Sequence, residues 1–314
     1  MNDIKCNLIV DACCDLPAEL VNKPHVHLVG FPYYFGTDEI LDDLWQSSNP
    51  KDFYDRMRKG EQPTTAGAPF TLLKQTFEEC IATGMPTVYL SFSSGLSGHF
   101  DQVLRVRDMV MEEHPDAELY VVDTHLASTG EALIIFEALR QHEAGLSAKE
   151  LADWATEAQY FVHVYFMVDD LESLRRGGRI PSSVAFAGSK LDVKPLLFIA
   201  TDGTLSIKGV ARGRKKGLKQ LADLFEEKAE LTEDSPYVMV GNADAPKDAA
   251  KLEEIIGKGE KAKHQEPIFV NASIGPVIGS HVGPGMVAVA FWGPDKRNEV
   301  SVANRIARRV KGGN

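Results

Sequence analysis

Residues 87–98 read TVYLSFSSGLSG, and this stretch shows on a small scale how the chain is built. Its first half, residues 87–92, is largely apolar and aromatic, which is typical of a short buried strand. Residues 101–112, which follow it, have the apolar spacing of a helix. The stretch therefore predicts a strand, a loop of small residues and a helix in succession.

The same succession recurs on both sides of this stretch. Apolar runs bounded by turn residues predict further strands at residues 8–10, 26–31, 119–122, 161–168, 237–240, 268–270 and 286–292. Helical periodicity predicts helices at residues 70–82, 101–112, 129–142, 148–158, 215–228 and 247–256. Because strands that alternate with helices form parallel sheets covered by helices, we expect an α/β fold with mainly parallel sheets.

The alternation is interrupted after residue 166. A charged, glycine-rich stretch at residues 169–180 leads to two apolar runs that are separated by Asp202-Gly203, which is a strong hairpin signal. The chain of 314 residues is about twice the usual length of a domain. We therefore expect two α/β domains, at residues 1–160 and 161–314.

Composition excludes several classes of function. The formal net charge of -11 repels nucleic-acid phosphates and anionic lipid surfaces, and the basic segment 212–216 is too short to outweigh it. No run approaches the ~18 apolar residues of a membrane span, and the N-terminus lacks the apolar core of a signal peptide. The four cysteines lack zinc-site spacing, so we expect buried thiols and no metal. These features predict a cytoplasmic protein without a nucleic-acid partner or stable membrane insertion.

In an open parallel sheet, ligands bind at the loops that follow the strands. Thr64 and Thr65 precede a predicted helix, whose free N–H groups suit a carboxylate or phosphate, although an ordinary helix cap explains them equally well. Ser93 and Ser94 lie in a loop of small residues that lets the backbone approach a ligand. His281 lies in a loop stiffened by glycines and a proline, which favours ligand contact over core filling.

Other loops have structural explanations of at least equal weight. Asp15 follows the first strand, where helix capping and turn formation explain it better than ligand binding. Ser128 and Thr129 suit the start of a helix at least as well as a ligand contact. Arg212 belongs to a cationic segment that resembles a solvated face, but an arginine there could also neutralise an acidic ligand.

Several motifs, taken in order along the chain, together resemble the DegV family, the fatty acid binding subunits that work with a bacterial fatty acid kinase. The most specific are the LESLRRGGRI run at residues 171–180 and the SSGLSG loop at residues 93–98. The others lie at residues 8–16, 64–65, 122–124 with Gly130, 192–197, 212–216 and 281–285. The resemblance covers almost the full chain.

The resemblance implies a two-domain α/β protein that holds a long-chain fatty acid in an apolar tunnel at the domain junction. The implied carboxylate-binding residues are Thr64, Thr65, Ser93, Ser94, Arg212 and His281. The protein itself would be a non-catalytic binding subunit without a cofactor, because a partner fatty acid kinase phosphorylates the bound carboxylate. The oligomeric state is open from the sequence, with a monomer as the default expectation. The chain departs from the family pattern at residues 12–14, which read ACC, and at residues 66–67, which read AG and adjoin the implied headgroup site.

Two other functions stay open at this point. A serine-dependent hydrolase or acyl transferase would use Ser94 with His281 and an acid such as Asp123. Against it, the serine loop is not a G-x-S-x-G elbow, because His99 stands where the last glycine would be. A phosphotransferase component would seat a phosphate on the glycine and hydroxyl loops, but the chain lacks a P-loop and a nearby cluster of metal-binding carboxylates.

Overall fold

The computed structural model describes residues 3–181, 192–262 and 266–299. Its strands are β1 (Asn7–Asp11), β2 (Val26–Val29), β3 (Phe31–Phe35), β4 (Asp38–Asp42), β5 (Thr64–Thr65), β6 (Thr87–Ser91), β7 (Leu119–Asp123), β8 (Val162–Met167), β9 (Val193–Ile199), β10 (Leu205–Arg212), β11 (Tyr237–Asn242), β12 (Ile268–Ser273) and β13 (Val287–Trp292). Its helices are α1 (Ala18–Val21), α2 (Pro50–Arg58), α3 (Phe70–Ala82), α4 (His99–Glu113), α5 (Thr129–Glu143), α6 (Ala148–Ala158), α7 (Glu172–Arg176), α8 (Arg214–Lys228), α9 (Pro246–Ala262) and α10 (Pro276–Val282).

The first sheet has the strand order β2-β1-β6-β7, and all of its pairings are parallel. β1 and β6 are buried along their whole length, as is expected of parallel strands that are covered on both faces. The pair α3 and α4 and the pair α5 and α6 pack against this sheet. The predicted α/β fold with a parallel sheet flanked by helices is confirmed here.

The second sheet has the order β10-β9-β8-β13-β11-β12, and it corrects the expectation that both sheets are mainly parallel. Among the described strands of this sheet, only β11 and β12 pair in parallel, and the other pairings are antiparallel. The predicted hairpin at Asp202-Gly203 joins β9 to β10, and such a tight turn can only connect antiparallel strands. Buried strands of either direction read as short apolar runs, so the sequence did not distinguish them.

A third, antiparallel sheet of order β4-β3-β5 was not predicted. The run at residues 26–31 was expected to be one strand, but Gly30 divides it into β2 and the start of β3. A Cβ atom at Gly30 would lie 2.8 Å from the backbone oxygen of Asp42, so the chain turns there through a space that admits no side chain. This turn carries β3 out of the parallel sheet and next to β5, which holds Thr65.

One apolar core joins the two large sheets. Helix α5 is buried over most of its length and packs against β8, β11 and β13 as well as the turn Ala12–Cys14 after β1. The approach is close, because a Cβ atom at Gly130 would collide with Val164 and one at Gly241 with Thr129. A second core lies between the second sheet and helices α8 and α9.

The proposed domain boundary at residue 160 falls in the turn between α6, which ends at Ala158, and β8, which begins at Val162. Helix α6 begins with a capping box of Ser147 and Glu150, which fixes the start of the last helix before this turn. Among the described residues, none of the helices combines the length and apolarity needed to cross a membrane.

Candidate functional site

A cavity lies where loops of the first sheet meet the second sheet, and the space in it and in its solvent-open mouth amounts to about 820 Å³. Much of its wall is aliphatic or aromatic, from Phe31, Phe92, Leu96, Val164, Phe166, Leu174, Ile199, Leu205, Val277, Ile278, Val282 and Met286. Its side chains with a polar atom are Cys13, Thr65, Ser97, Ser128, Thr129, Arg179 and His281. Such a wall can enclose an apolar ligand that carries a polar group.

Two of the predicted site residues, Thr65 and His281, meet in this wall. Thr65 Oγ1 and His281 Nε2 are 2.8 Å apart, which joins β5 to α10 across 216 positions of the chain. A Cβ atom at Gly177 would collide with His281 Nδ1, so the imidazole ring rests directly on the backbone after α7. Among the described residues, Nδ1 has no hydrogen-bond partner.

His281 is a neutral side chain at physiological pH. Burial, together with the nearby guanidinium groups of Arg179 and Arg176, lowers the pKa of His281 to about 4. The imidazole therefore acts through hydrogen bonds and contributes no positive charge to the cavity.

The cation in this wall is Arg179, which follows α7. Its Nε donates to the backbone oxygen of Leu96 (3.1 Å) and its Nη1 donates to that of Gly177. In the described part of the chain, it forms no ion pair with a carboxylate. Burial lowers the pKa of Arg179 below its usual value, but a guanidinium titrates so high that it stays charged. A half-buried cation whose side-chain partners are carbonyl oxygens is suited to an anionic group. Arg179 lies in the LESLRRGGRI run that resembles the family pattern, but the sequence does not distinguish it from the other arginines of that run.

The other predicted site residues lie outside the cavity wall. Thr64, Ser94 and Arg212 are exposed, and Ser94 donates its backbone N–H to Asp123 (3.2 Å). Ser93 is fully buried, and its hydroxyl donates to the backbone oxygen of Gly203 (3.0 Å). Ser97, which belongs to the same loop, does line the cavity.

The hydroxyl of Ser93 connects the two large sheets through the turn of the β9–β10 hairpin. A Cβ atom at Gly95 would lie 2.6 Å from the backbone oxygen of Asp202, so the serine loop and this turn touch through their backbones. Ile199 and Leu205, the residues where the hairpin strands meet the turn, line the cavity. The docked hairpin therefore closes one side of the cavity.

Within the cationic segment 212–216, the side chain of Arg214 is engaged in contacts with other parts of the protein. Its guanidinium pairs with Asp248 (2.6 Å) and Asp169 (2.8 Å) and donates to the backbone oxygen of Gly285 (2.8 Å). These contacts tie the start of α8 to the loop after α10. Arg212 remains exposed at the end of β10.

The triad expected of a serine hydrolase is not assembled. Asp123 pairs with His125, at 3.1 Å between Oδ2 and Nε2, whereas His281 is bound to Thr65. Burial raises the pKa of Asp123, but hydrogen bonds from His125 and Ser94 outweigh it and lower the pKa. Because Asp123 holds Ser94 as well as His125, it does not orient His281 as a base.

Buried carboxyl groups anchor the loops around the cavity. Asp15 does not cap α1, whose N-cap is Pro17; it accepts hydrogen bonds from Ser128 Oγ (2.6 Å) and from the backbone N–H of Gly275 (2.9 Å). Ser128 occupies the N-cap position at the predicted start of α5, but its side chain makes no capping hydrogen bond, because its hydroxyl is bound to Asp15. Burial raises the pKa of Asp11 to about 7, although Tyr89 and the N–H of Phe92 donate to it. Asp11 and Asp15 thus hold the cavity walls in place.

Within the described ranges, no group of three or more His, Cys, Asp or Glu side chains is placed to hold a metal ion. The described cysteines Cys6, Cys13, Cys14 and Cys80 are all free and buried.

Comparison with known proteins points to one family. The model of the DegV family, described as "Uncharacterised protein, DegV family", matches residues 5–293. The DegV domain-containing protein CPE0026 of Clostridium perfringens is 34% identical over 289 residues, covering 92% of this chain and 98% of that protein.

Solved structures share the fold over nearly their full length. DegV of Bacillus subtilis, described as a fatty acid binding protein, is 26% identical with a TM-score of 0.76, covering 93% of this chain and 100% of that chain. A DegV family protein of Thermus thermophilus, whose description reports fatty acid binding, is 25% identical with a TM-score of 0.77, covering 92% of this chain and 100% of that chain.

Proposed function

Because this chain belongs to the DegV family, we propose that it binds a long-chain fatty acid in the cavity between its two large sheets. The observation that carries the proposal is a cavity whose wall is mostly apolar but includes one guanidinium and a Thr65–His281 pair. Related structures from Bacillus subtilis and Thermus thermophilus, which are described as fatty acid binding, support it.

The apolar wall supplies the affinity for the acyl chain. Each methylene group withdrawn from water contributes roughly 0.8 kcal/mol, so a long chain gains on the order of 10 kcal/mol before the costs of binding. A carboxylate buried with the chain needs hydrogen bonds, since an unpaired buried charge is costly. The ligand must therefore place its carboxylate near the polar wall residues.

We assign the carboxylate contacts to Thr65, His281, Ser97 and Arg179, which line the cavity. Arg179 supplies the charge, because His281 is neutral. The resemblance also implies Thr64, Ser94 and Ser93 as carboxylate contacts. Thr64 and Ser94 are exposed, although Thr64 is adjacent to Thr65 in the sequence, and the hydroxyl of Ser93 holds the β9–β10 hairpin through Gly203. Arg212, which is also exposed, suits a contact with a partner better than one inside the cavity.

The finer part of the proposal is that the protein presents its ligand to a partner fatty acid kinase and performs no chemistry itself. The broken triad of Ser94, Asp123 and His281 supports a non-catalytic role. We further propose that the protein acts as a cytoplasmic monomer without a cofactor, with residues 1–160 and 161–314 as its domains.

A titration with matched ligands tests the binding proposal. The delipidated full-length protein should bind stearic acid at least about tenfold more tightly than stearyl alcohol, because only the acid engages the guanidinium. Equal binding of both would contradict the headgroup assignment, and binding of neither would contradict the function. Incubation of the loaded protein with a fatty acid kinase and ATP then tests presentation, with acyl phosphate formation as the expected result.

A further inference from the structure

A second set of polar side chains lies in the cavity wall, and the carboxylate site does not account for it. Ser128 and Thr129 line the cavity at the start of α5, and Cys13 lines it from the turn after β1. The backbone N–H of Ser128 donates to the backbone oxygen of Cys13 (2.8 Å), which joins the three into one patch. A tunnel for an unsubstituted acyl chain does not require polar groups here.

The hydroxyl of Thr129 is the most informative member of this patch. Thr129 is 0% exposed, and its Oγ1 has no hydrogen-bond partner among the described residues. Its methyl group is turned toward Gly241, where an added Cβ atom would collide with Cγ2, so Oγ1 lies on another side of the Cβ atom. Buried hydroxyl groups are nearly always paired, so an unpaired one in a ligand cavity indicates a missing partner.

Ser128 can assist from the adjacent position. The hydroxyl of Ser128 donates to Asp15 Oδ2 (2.6 Å). This hydrogen bond uses the only proton of the hydroxyl group, so the lone pairs of the Ser128 oxygen remain available as acceptors. Ser128 also has φ of 52°, a left-handed backbone conformation that is uncommon for serine. Thr129 can therefore donate to a ligand oxygen, while Ser128 can accept from a ligand hydroxyl.

We infer that the cavity takes a fatty acid that carries an oxygen substituent on its acyl chain, and that Thr129 binds this oxygen. The inference rests on the proposed function and specifies its substrate class: hydroxy or oxo fatty acids. The reason is selectivity. A site built around a hydrogen bond discriminates against an analogue that lacks the partner, because the protein group is then buried unpaired.

The first experiment measures dissociation constants of the delipidated wild-type protein for stearic acid and for positional isomers of hydroxystearic and oxostearic acid. One position of the substituent should bind about tenfold more tightly than the other positions, a factor that corresponds to 1.4 kcal/mol. A hydroxyl substituent can donate or accept a hydrogen bond, whereas an oxo substituent can only accept one. Comparing the affinities of the two series therefore shows whether the ligand oxygen acts as a donor or as an acceptor. If stearic acid binds and no isomer is preferred, the inference is wrong while the proposed function stands. If nothing binds, both are wrong.

Variants at Thr129 locate the effect. Thr129→Val, which keeps the shape and removes the hydroxyl, should abolish the preference, so that the positional isomers bind with similar dissociation constants. Thr129→Ser keeps the hydroxyl and should keep the preference for one isomer. If the Thr129→Val protein does not fold, Thr129→Ala is measured in its place. Thr156→Val is the matched control, because its hydroxyl donates to Ala152 on α6, outside the cavity wall. A preference that survives removal of the Thr129 hydroxyl overturns the inference.

Discussion

Arg179 carries the charge that the proposed carboxylate site needs. Its neighbour on α7, Arg175, is exposed and paired with Glu172, so the two arginines differ in burial and in partner. Replacing Arg179 by Gln should weaken stearic acid binding by about 1.5–3 kcal/mol, the range for a hydrogen bond to a charged group. Isothermal titration of both proteins measures this.

Arg175→Gln is the matched control for that substitution and should bind like the wild type. Stearyl alcohol should bind equally to the Arg179→Gln and wild-type proteins, since it offers no carboxylate. Undiminished binding of stearic acid by Arg179→Gln would show that the headgroup lies elsewhere.

His281 should make the folded protein less stable in acid. Its pKa is lowered from 6.5 to about 4, so the unfolded chain binds a proton more readily between these values. The contribution of neutral His281 is therefore fully present above pH 6.5 and is lost as the pH falls toward 4. Relative to His281→Gln, the wild type should lose up to about 3 kcal/mol of unfolding free energy over this window.

Urea unfolding of both proteins across this pH range checks the sign. His125 provides an internal contrast, because its hydrogen bond to Asp123 raises its pKa. Stability from His125 is present below its unfolded pKa and is lost as the pH rises through its folded pKa. Parallel pH curves for wild type and His281→Gln would show that His281 is not buried as described.

At the scale of elements, helix α10 is held in place by groups from the first half of the chain. Gly275, its N-cap residue, donates to Asp15, and Tyr54 donates to the preceding carbonyl of Ile274 (2.8 Å). Asp42 accepts from the N–H of Leu44 (3.1 Å), and its Oδ2 would lie 2.9 Å from a Cβ atom added at Gly275, so it packs closely against the start of α10. Because α10 carries His281 and three apolar wall residues, these contacts set the geometry of the cavity.

The carboxyl of Asp42 should make the contacts at the start of α10 less stable as the pH rises toward neutrality. Burial raises the pKa of Asp42 from 3.8 to about 7, so the folded protein holds a proton that the unfolded chain releases. Stability from Asp42 is thus lost as the pH rises from 3.8 through 7. Relative to Asp42→Asn, which still accepts hydrogen bonds, the wild type should lose up to about 4 kcal/mol over this window.

Chemical unfolding at several pH values measures this difference. Asp43→Asn changes the adjacent, less buried carboxyl and is the control. If wild type and Asp42→Asn keep a constant difference from acid to alkaline pH, the proposed protonation of Asp42 is wrong.

The β9–β10 hairpin depends on close backbone packing at Gly95. Gly95→Ala would place a Cβ atom 2.6 Å from the backbone oxygen of Asp202, so the hairpin must move away. We expect a loss of about 1–3 kcal/mol in stability and faster release of bound fatty acid. Gly209→Ala on β10 is the control, since an added Cβ atom there meets nothing within 4 Å. Equal ligand release from the two variants would contradict a closing role for the hairpin.

For the whole molecule, sequence patterns predicted the parts that depend on local periodicity. Helices α3 and α6 have the predicted bounds, and the strands of the parallel sheet lie where apolar runs occur. The direction of pairing in the second sheet was not predictable, because it depends on contacts between distant strands. The third sheet was missed because its strands are short, as in Thr64–Thr65, or exposed, as in Asp38–Asp42.

The candidate site was predictable only in part, for a similar reason. Thr65 and His281 were singled out, and the structure pairs them across most of the chain. Ser93 was chosen for its residue type, but a hydroxyl in a loop can equally bind the protein itself, as it does at Gly203. Arg179 was not recognised because several arginines share its segment and only burial distinguishes them.

The central claim is that a fatty acid occupies the cavity, and mass spectrometry of an organic extract of the natively purified protein tests it most directly. We expect a near-stoichiometric amount of one or a few fatty acids, with any oxygen substituent visible in their masses. An extract without fatty acid, from a folded protein that also takes up none when it is added, would contradict the account.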